Sequence, residues 1–237
     1  MNANPSVTYC PKVTNAYDCR EAPFDRALYA VKEGRWSAEV NGLRTLENPT
    51  DEERRDYKAD RLPAFLWSGL FSYRRETSLR AHSGLVVLDF DHLSVGADDA
   101  RERIAAVPGC VGAFVSPGGD GVKALMLLAK EPRAKVEHEA AWFASQMRVH
   151  LRTGFEVDIS GKDMCRACFV SFDPDCYIGR FADEDAVSWS VSNYDYKALD
   201  RAAGRKSGGA PGVAGSRHHS PNTPNTCLLY TSPSPRD

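Results

Sequence analysis

One stretch limits the folds open to this chain more than any other: Gly84-Leu85-Val86-Val87-Leu88-Asp89-Phe90-Asp91, an apolar run that ends in two aspartates one residue apart. Branched and aromatic residues in so short a run predict a β-strand. Side chains on a strand alternate between faces, so Val87, Asp89 and Asp91 share one face while Val86, Leu88 and Phe90 point to the other. Two carboxylates side by side at the end of a buried strand are costly unless a cation or a substrate compensates them.

The flanking segments give the fold class. Phe24, Ala27, Leu28 and Val31 recur at helical spacing after Pro23. Residues 51–55 suit the first turn of a helix, and the charged run over 48–61 reads as a solvent face. Residues 62–71, punctuated by Pro63 and Gly69, read as a short strand or packed loop. A helix is predicted over 98–107, then a hairpin of two strands, 111–115 and 122–128, around the turn Ser116-Pro117-Gly118-Gly119-Asp120-Gly121. The strongest helical pattern covers 134–151, where Val136, Ala140, Phe143, Met147 and Leu151 form the expected buried stripe. Val157-Asp158 opens a strand-like region, and residues 168–172 read as a further strand. The order predicts an α+β layer with prominent antiparallel pairing.

Composition enters as a set of exclusions. No run of about 18 apolar residues is present, and residues 1–9 lack a basic segment followed by an apolar one, so a cytoplasmic protein with no membrane partner is expected. A formal net charge of −2 excludes binding of nucleic acid by bulk charge; any such binding needs a local groove or metal ions. Seven cysteines, an odd number, with Cys165 and Cys168 as the only close pair, predict free thiols rather than a disulfide framework or a zinc site. Residues 188–216 read as a linker or the start of a following module. From Cys227 to Asp237 the chain resembles the conceptual translation of a sequencing adapter, so 217–237 is set aside as non-native.

Asp89 and Asp91 on one strand face suit Mg²⁺ or Mn²⁺, and a third carboxylate would complete a two-metal site of the kind that aligns a nucleophile and a leaving oxygen on a phosphate, for two-metal transfer of a nucleotide to a 3′-hydroxyl. Asp158 is the candidate for that third ligand. Ser116, Gly118, Gly119 and Gly121 form a turn whose backbone N–H groups can approach an anion, and Lys123 is placed to reach a phosphate from the sheet. Arg166 lies in an otherwise apolar stretch and needs an anionic partner, for which Asp158 and Asp173 are the alternatives. His82 reads as structural.

Taken in order, Lys58, Leu62-Pro63-Ala64-Phe65, Ser68-Gly69-Leu70-Phe71, residues 82–91, residues 116–123, Asp158, Lys162-Asp163, Arg166 and residues 169–174 resemble the VirE N-terminal family of primase-like domains over roughly residues 5–185. That resemblance implies a primase-polymerase-like α+β fold, with a mainly antiparallel, RRM-like sheet and packed helices, over residues 1–187. It implies a nucleotidyltransferase of a mobile-element or phage replication protein, with nucleotides and a single-stranded DNA template as partners and a helicase or ATPase module in the intact protein. Asp89, Asp91 and Asp158 would match its metal-binding positions, Ser116 to Lys123 its nucleotide-contacting motif, and Arg166 a contact to the triphosphate. Active members of that superfamily usually carry histidine where Val122-Lys123 stands here, which keeps open a module that binds nucleotide or single-stranded DNA without chemistry. A haloacid dehalogenase-type phosphatase is the third reading, with Asp89-Phe90-Asp91 followed by the strand that ends in Ser116.

Overall fold

The aspartate run forms the expected strand, and the layers around it explain its composition. The computed structural model describes residues 4–191. In chain order the elements are β1 (Ser6–Cys10), β2 (Arg20–Pro23), α1 (Phe24–Lys32), α2 (Ser37–Arg44), α3 (Asp51–Arg61), β3 (Ala64–Leu66), β4 (Gly69–Phe71), β5 (Leu79–His82), β6 (Leu85–Phe90), α4 (Ala97–Ala105), β7 (Cys110–Val115), β8 (Val122–Leu127), α5 (Lys135–Thr153), β9 (Cys168–Phe169) and β10 (Tyr177–Ile178). The expected linker over 188–216, beyond residue 191, and the expected tail over 217–237 lie outside the described residues.

The fold is mixed α+β, with five α-helices and three antiparallel sheets among the described residues, the sheets ordered β2-β1-β3-β9, β10-β7-β8-β6 and β4-β5. The carboxylate strand β6 sits at the edge of the second sheet and pairs along its whole length with β8, Leu85 opposite Leu127 through Phe90 opposite Val122. Alternation sorts its side chains into two cores. Val86, Leu88 and Phe90 join Ile104 of α4 and Trp142 and Phe143 of α5, while Leu85 and Val87 face Phe24, Leu28, Phe65 and Trp67 of the N-terminal layer. Asp89 continues the second of these faces, so the apolar seam between the layers turns polar at the end of β6.

An edge strand carries backbone groups that no neighbouring strand satisfies. Here the Trp142 indole Nε1 donates to Val87 O at 2.9 Å, and the Asp158 N–H donates to Asp89 O at 2.8 Å. Asp158 is therefore delivered to the site by a backbone bond to the aspartate strand itself. The segment around it is not the expected strand: Asp158 caps a short 3-10 helix, Ile159–Lys162, because its carboxylate accepts the Ser160 N–H locally.

Three other expectations change. Helix α2 has no strong apolar signal, since Asn41 and Gly42 lie within it, and was not foreseen. The strand expected over 168–172 stops at Phe169, and Arg166 lies in the loop before it. Helix α5 buries Ala140 and Phe143 of the expected stripe but not its C-terminal part: Met147 and Leu151 are 47% and 74% exposed, while His138, Ala141, Trp142, Ser145 and Val149 are buried. The difference follows from polar partners. Trp142 must reach Val87 O, and His138 Nδ1 lies 3.0 Å from His82 Nε2 in a buried pair whose other end, His82 Nδ1, accepts the Gly84 N–H. His82 is thus a core histidine, as expected. The six cysteines among the described residues are free thiols, and no helix among those residues is long and apolar enough to cross a membrane.

Candidate metal and nucleotide site

Three carboxylates meet at the end of β6. Asp89, Asp91 and Asp158 each offer an oxygen within 4.8 Å of the others. The β6–β8 register puts Lys123 directly opposite Asp89, and its ammonium donates to Asp89 Oδ2. The other oxygen, Asp89 Oδ1, is buried and has no hydrogen-bond partner. A buried carboxylate oxygen left unpaired is expensive. Three carboxylates around such an atom are the donor set of a hard divalent cation, and the residues fit Mg²⁺ or Mn²⁺.

The electrostatics follow from this crowding. Burial, then the Asp89 charge, pushes the Asp91 carboxyl above its ordinary value. Burial works the same way on Asp158 but is outweighed by the Ser160 hydroxyl and N–H and by the Arg166 charge, so its carboxyl lies below the ordinary range. Burial alone would discharge Lys123, yet the adjoining Asp89 carboxylate holds its ammonium above the usual lysine value. Asp158 is therefore ionised, and Lys123 charged, at neutral pH.

The turn expected to approach an anion does lie beside the carboxylates. Its backbone is occupied by its own geometry: Gly119 N–H goes to Ser116 O at 2.9 Å and Gly121 N–H to Ser116 Oγ at 3.2 Å, so these two amides close the turn instead of facing a ligand. Gly119 has a φ of +87°, and a Cβ on Gly121 would lie 2.7 Å from Asp91 Oδ1. Glycine at 121 lets the turn sit against the Asp91 carboxylate. Gly118 is crowded in turn by the Asp120 carboxylate. The turn is held from outside by Arg44 of α2, which donates to Ser116 O, Pro117 O and Phe172 O.

Arg166 donates to Ser160 Oγ at 3.2 Å and adds its charge beside Asp158, while Asp173 is taken by Arg101. Of the two alternatives, Asp158 is the carboxylate whose neighbourhood Arg166 shares. The three aspartates, Lys123, Arg166 and the start of the turn, Ser116 to Gly118, line a cleft of about 930 Å³. Arg54, Arg55 and Lys58 of α3 line the same cleft, as does Arg74; of these only Lys58 is among the residues that carry the family resemblance, and none has an expected role in the site. Burial and then the Lys123 charge lower the Lys58 ammonium, against the pull of Asp91 and Asp89. The charge run of α3 was read as a solvent face; the signal for its role is the spacing of Arg54, Arg55 and Lys58, which puts them along one side of the helix. Arg44 had no such signal, because its helix was not visible.

The cleft therefore opposes a carboxylate cluster with one embedded lysine to a wall of arginine and lysine. Such a surface can hold a divalent cation on one side and phosphate oxygens on the other. No curated protein matches the chain. A family model described as BT4734-like, N-terminal domain, matches residues 57–178, just over half of the chain. That span starts within α3 and ends with β10, and it contains Lys58, all three aspartates, the 116–121 turn, Lys123 and Arg166. On that match the chain belongs to the BT4734-like N-terminal domain family.

Proposed function

We propose that this domain is a primase-like nucleotidyltransferase of a mobile-element or phage replication protein, in which a divalent cation at Asp89, Asp91 and Asp158 serves transfer of a nucleotide to a 3′-hydroxyl. The observation that carries the reading is the buried, unpartnered Asp89 Oδ1 inside a cluster of three carboxylates that line a cleft of about 930 Å³. Mg²⁺ or Mn²⁺ bound there supplies Lewis-acid charge to a phosphoryl group and an incoming hydroxyl. The chain's own residues do the rest. Lys123 fixes the rotamer of Asp89, Ser160 that of Asp158, and Arg166 and Lys58 are placed to hold phosphate oxygens from two sides of the cleft.

Kinship with the primase-polymerase fold is supported by connectivity. The run β6-α4-β7-β8-α5, with sheet order β7-β8-β6 and the Asp158 backbone on the outer edge of β6, has the order of a βαββαβ unit whose last strand is reduced to one hydrogen bond. Antiparallel pairing, and a hairpin where a phosphatase of the haloacid dehalogenase type needs a helix after its serine, speak against that alternative. The partners of this reading are nucleotides, a single-stranded DNA template and a helicase or ATPase module in the intact protein.

The full chain, given single-stranded template, nucleotides and Mn²⁺, should start or extend a strand, and Asp89→Asn should abolish the product. Equal product from that variant would refute the reading. The second reading, a non-catalytic nucleotide- or DNA-binding module, is favoured by the engagement of Lys123 with Asp89 in place of a histidine; it predicts nucleotide binding in the same assay with no incorporation.

A further inference from the structure

Resting on the reading that the three aspartates hold a divalent cation, we infer that the site takes one divalent ion per chain, with the Lys123 ammonium built in as the second positive charge that two-metal sites obtain from a second ion. Two-metal sites place their ions about 3.5–4 Å apart and share carboxylate oxygens between them. Here a second ion at the other oxygen of Asp89 would sit against the Lys123 ammonium, which donates to Asp89 Oδ2, so like-charge repulsion keeps it out.

The lysine is a fixture of the sheet rather than a visitor. Its backbone lies on β8 between Asp89 of β6 and Phe114 of β7, and its side chain is only 14% exposed. Moving it off Asp89 would leave a charged ammonium in a buried wall without its nearest counterion.

The remaining donors suit a single ion. Asp89 Oδ1 is unpartnered, Asp91 faces the same point, and each Asp158 oxygen accepts one hydrogen bond from Ser160, which leaves it a lone pair.

Calorimetric titration of the full chain with Mn²⁺ alone, with bound Mn²⁺ counted by electron paramagnetic resonance, tests this without activity. The wild type should bind one ion, Lys123→Arg one, and Lys123→Met two. Two ions on the wild type overturn the single-ion site while leaving the metal-site reading in place, and no ion on the wild type overturns both. One ion on Lys123→Met removes the lysine from the role assigned to it. Should that variant fail to fold, the counts for the wild type and Lys123→Arg still decide.

Discussion

Two ion pairs are sunk into this fold, and they are finished differently. Where α4 meets the end of β7, Arg101 Nη1 donates to both oxygens of Asp173 at 3.0 and 3.1 Å, and the N–H groups of Val115 and Asp175 fill the remaining acceptor sites at 2.8 and 3.0 Å. Where β6 meets β8, Lys123 satisfies one oxygen of Asp89 and the other stays bare. Both pairs are largely enclosed, so enclosure alone does not mark a site. The unmet acceptor inside a carboxylate cluster does: such an atom calls for a partner that the protein itself does not supply.

The contrast breaks most easily at Asp173. Asp173→Ala orphans the Val115 N–H and leaves Arg101 with only the exposed Asp98 as an acidic partner, which should cost about 3 to 5 kcal/mol in urea unfolding. Asp89→Asn keeps an acceptor for Lys123 and relieves the repulsion on Asp91, so it should lower stability less, yet weaken Mn²⁺ binding by more than about a hundredfold in calorimetry, since even supporting groups around a metal are worth 10–100-fold. Equal stability losses for the two variants would erase the distinction.

A third buried pair sharpens it by titration. Burial lowers His82 to about 4, and burial with the neighbouring His82 lowers His138 to about 3, from an unfolded value of 6.5. The groups facing them include Lys135, which further disfavours protonation of His138. Because the unfolded chain binds these protons first, their contribution to stability is complete above about pH 6.5 and is lost as pH falls towards the folded values. The melting temperature should drop steadily between pH 7 and 5, and His138→Gln should flatten that slope. The smallest effect is expected on the basic wall: Lys58→Ala should weaken nucleotide binding about tenfold, read by fluorescence titration, with metal binding unchanged.

The sequence made the carboxylate side of the site legible and hid the basic side, for physical reasons. Asp89 and Asp91 end a run with strand periodicity, and the 116–121 turn carries its own glycine signature, so their placement needed only local rules. Lys123 was legible as a strand residue, but its pairing with Asp89 depends on the register of two strands separated by a helix and a third strand. The C-terminal part of the α5 stripe was misjudged because hydrophobic periodicity counts Met147 and Leu151 and is blind to the indole of Trp142 and the ring of His138, whose hydrogen bonds set the buried face. Arg44 was hidden because α2 includes Asn41 and Gly42 and is held by tertiary contacts more than by propensity.

The backbone bond between Asp158 and Asp89 has a consequence for how the molecule is assembled. Two ligands sit on β6 and the third arrives only after α4, the β7–β8 hairpin and α5 have been laid down in between. A divalent ion held by all three would cross-link this stretch into a ring, and by binding only the folded state it would stabilise that state by mass action. Metal affinity would then report on the fold of everything between 91 and 158, since the chelate forms only when all three ligands are brought together.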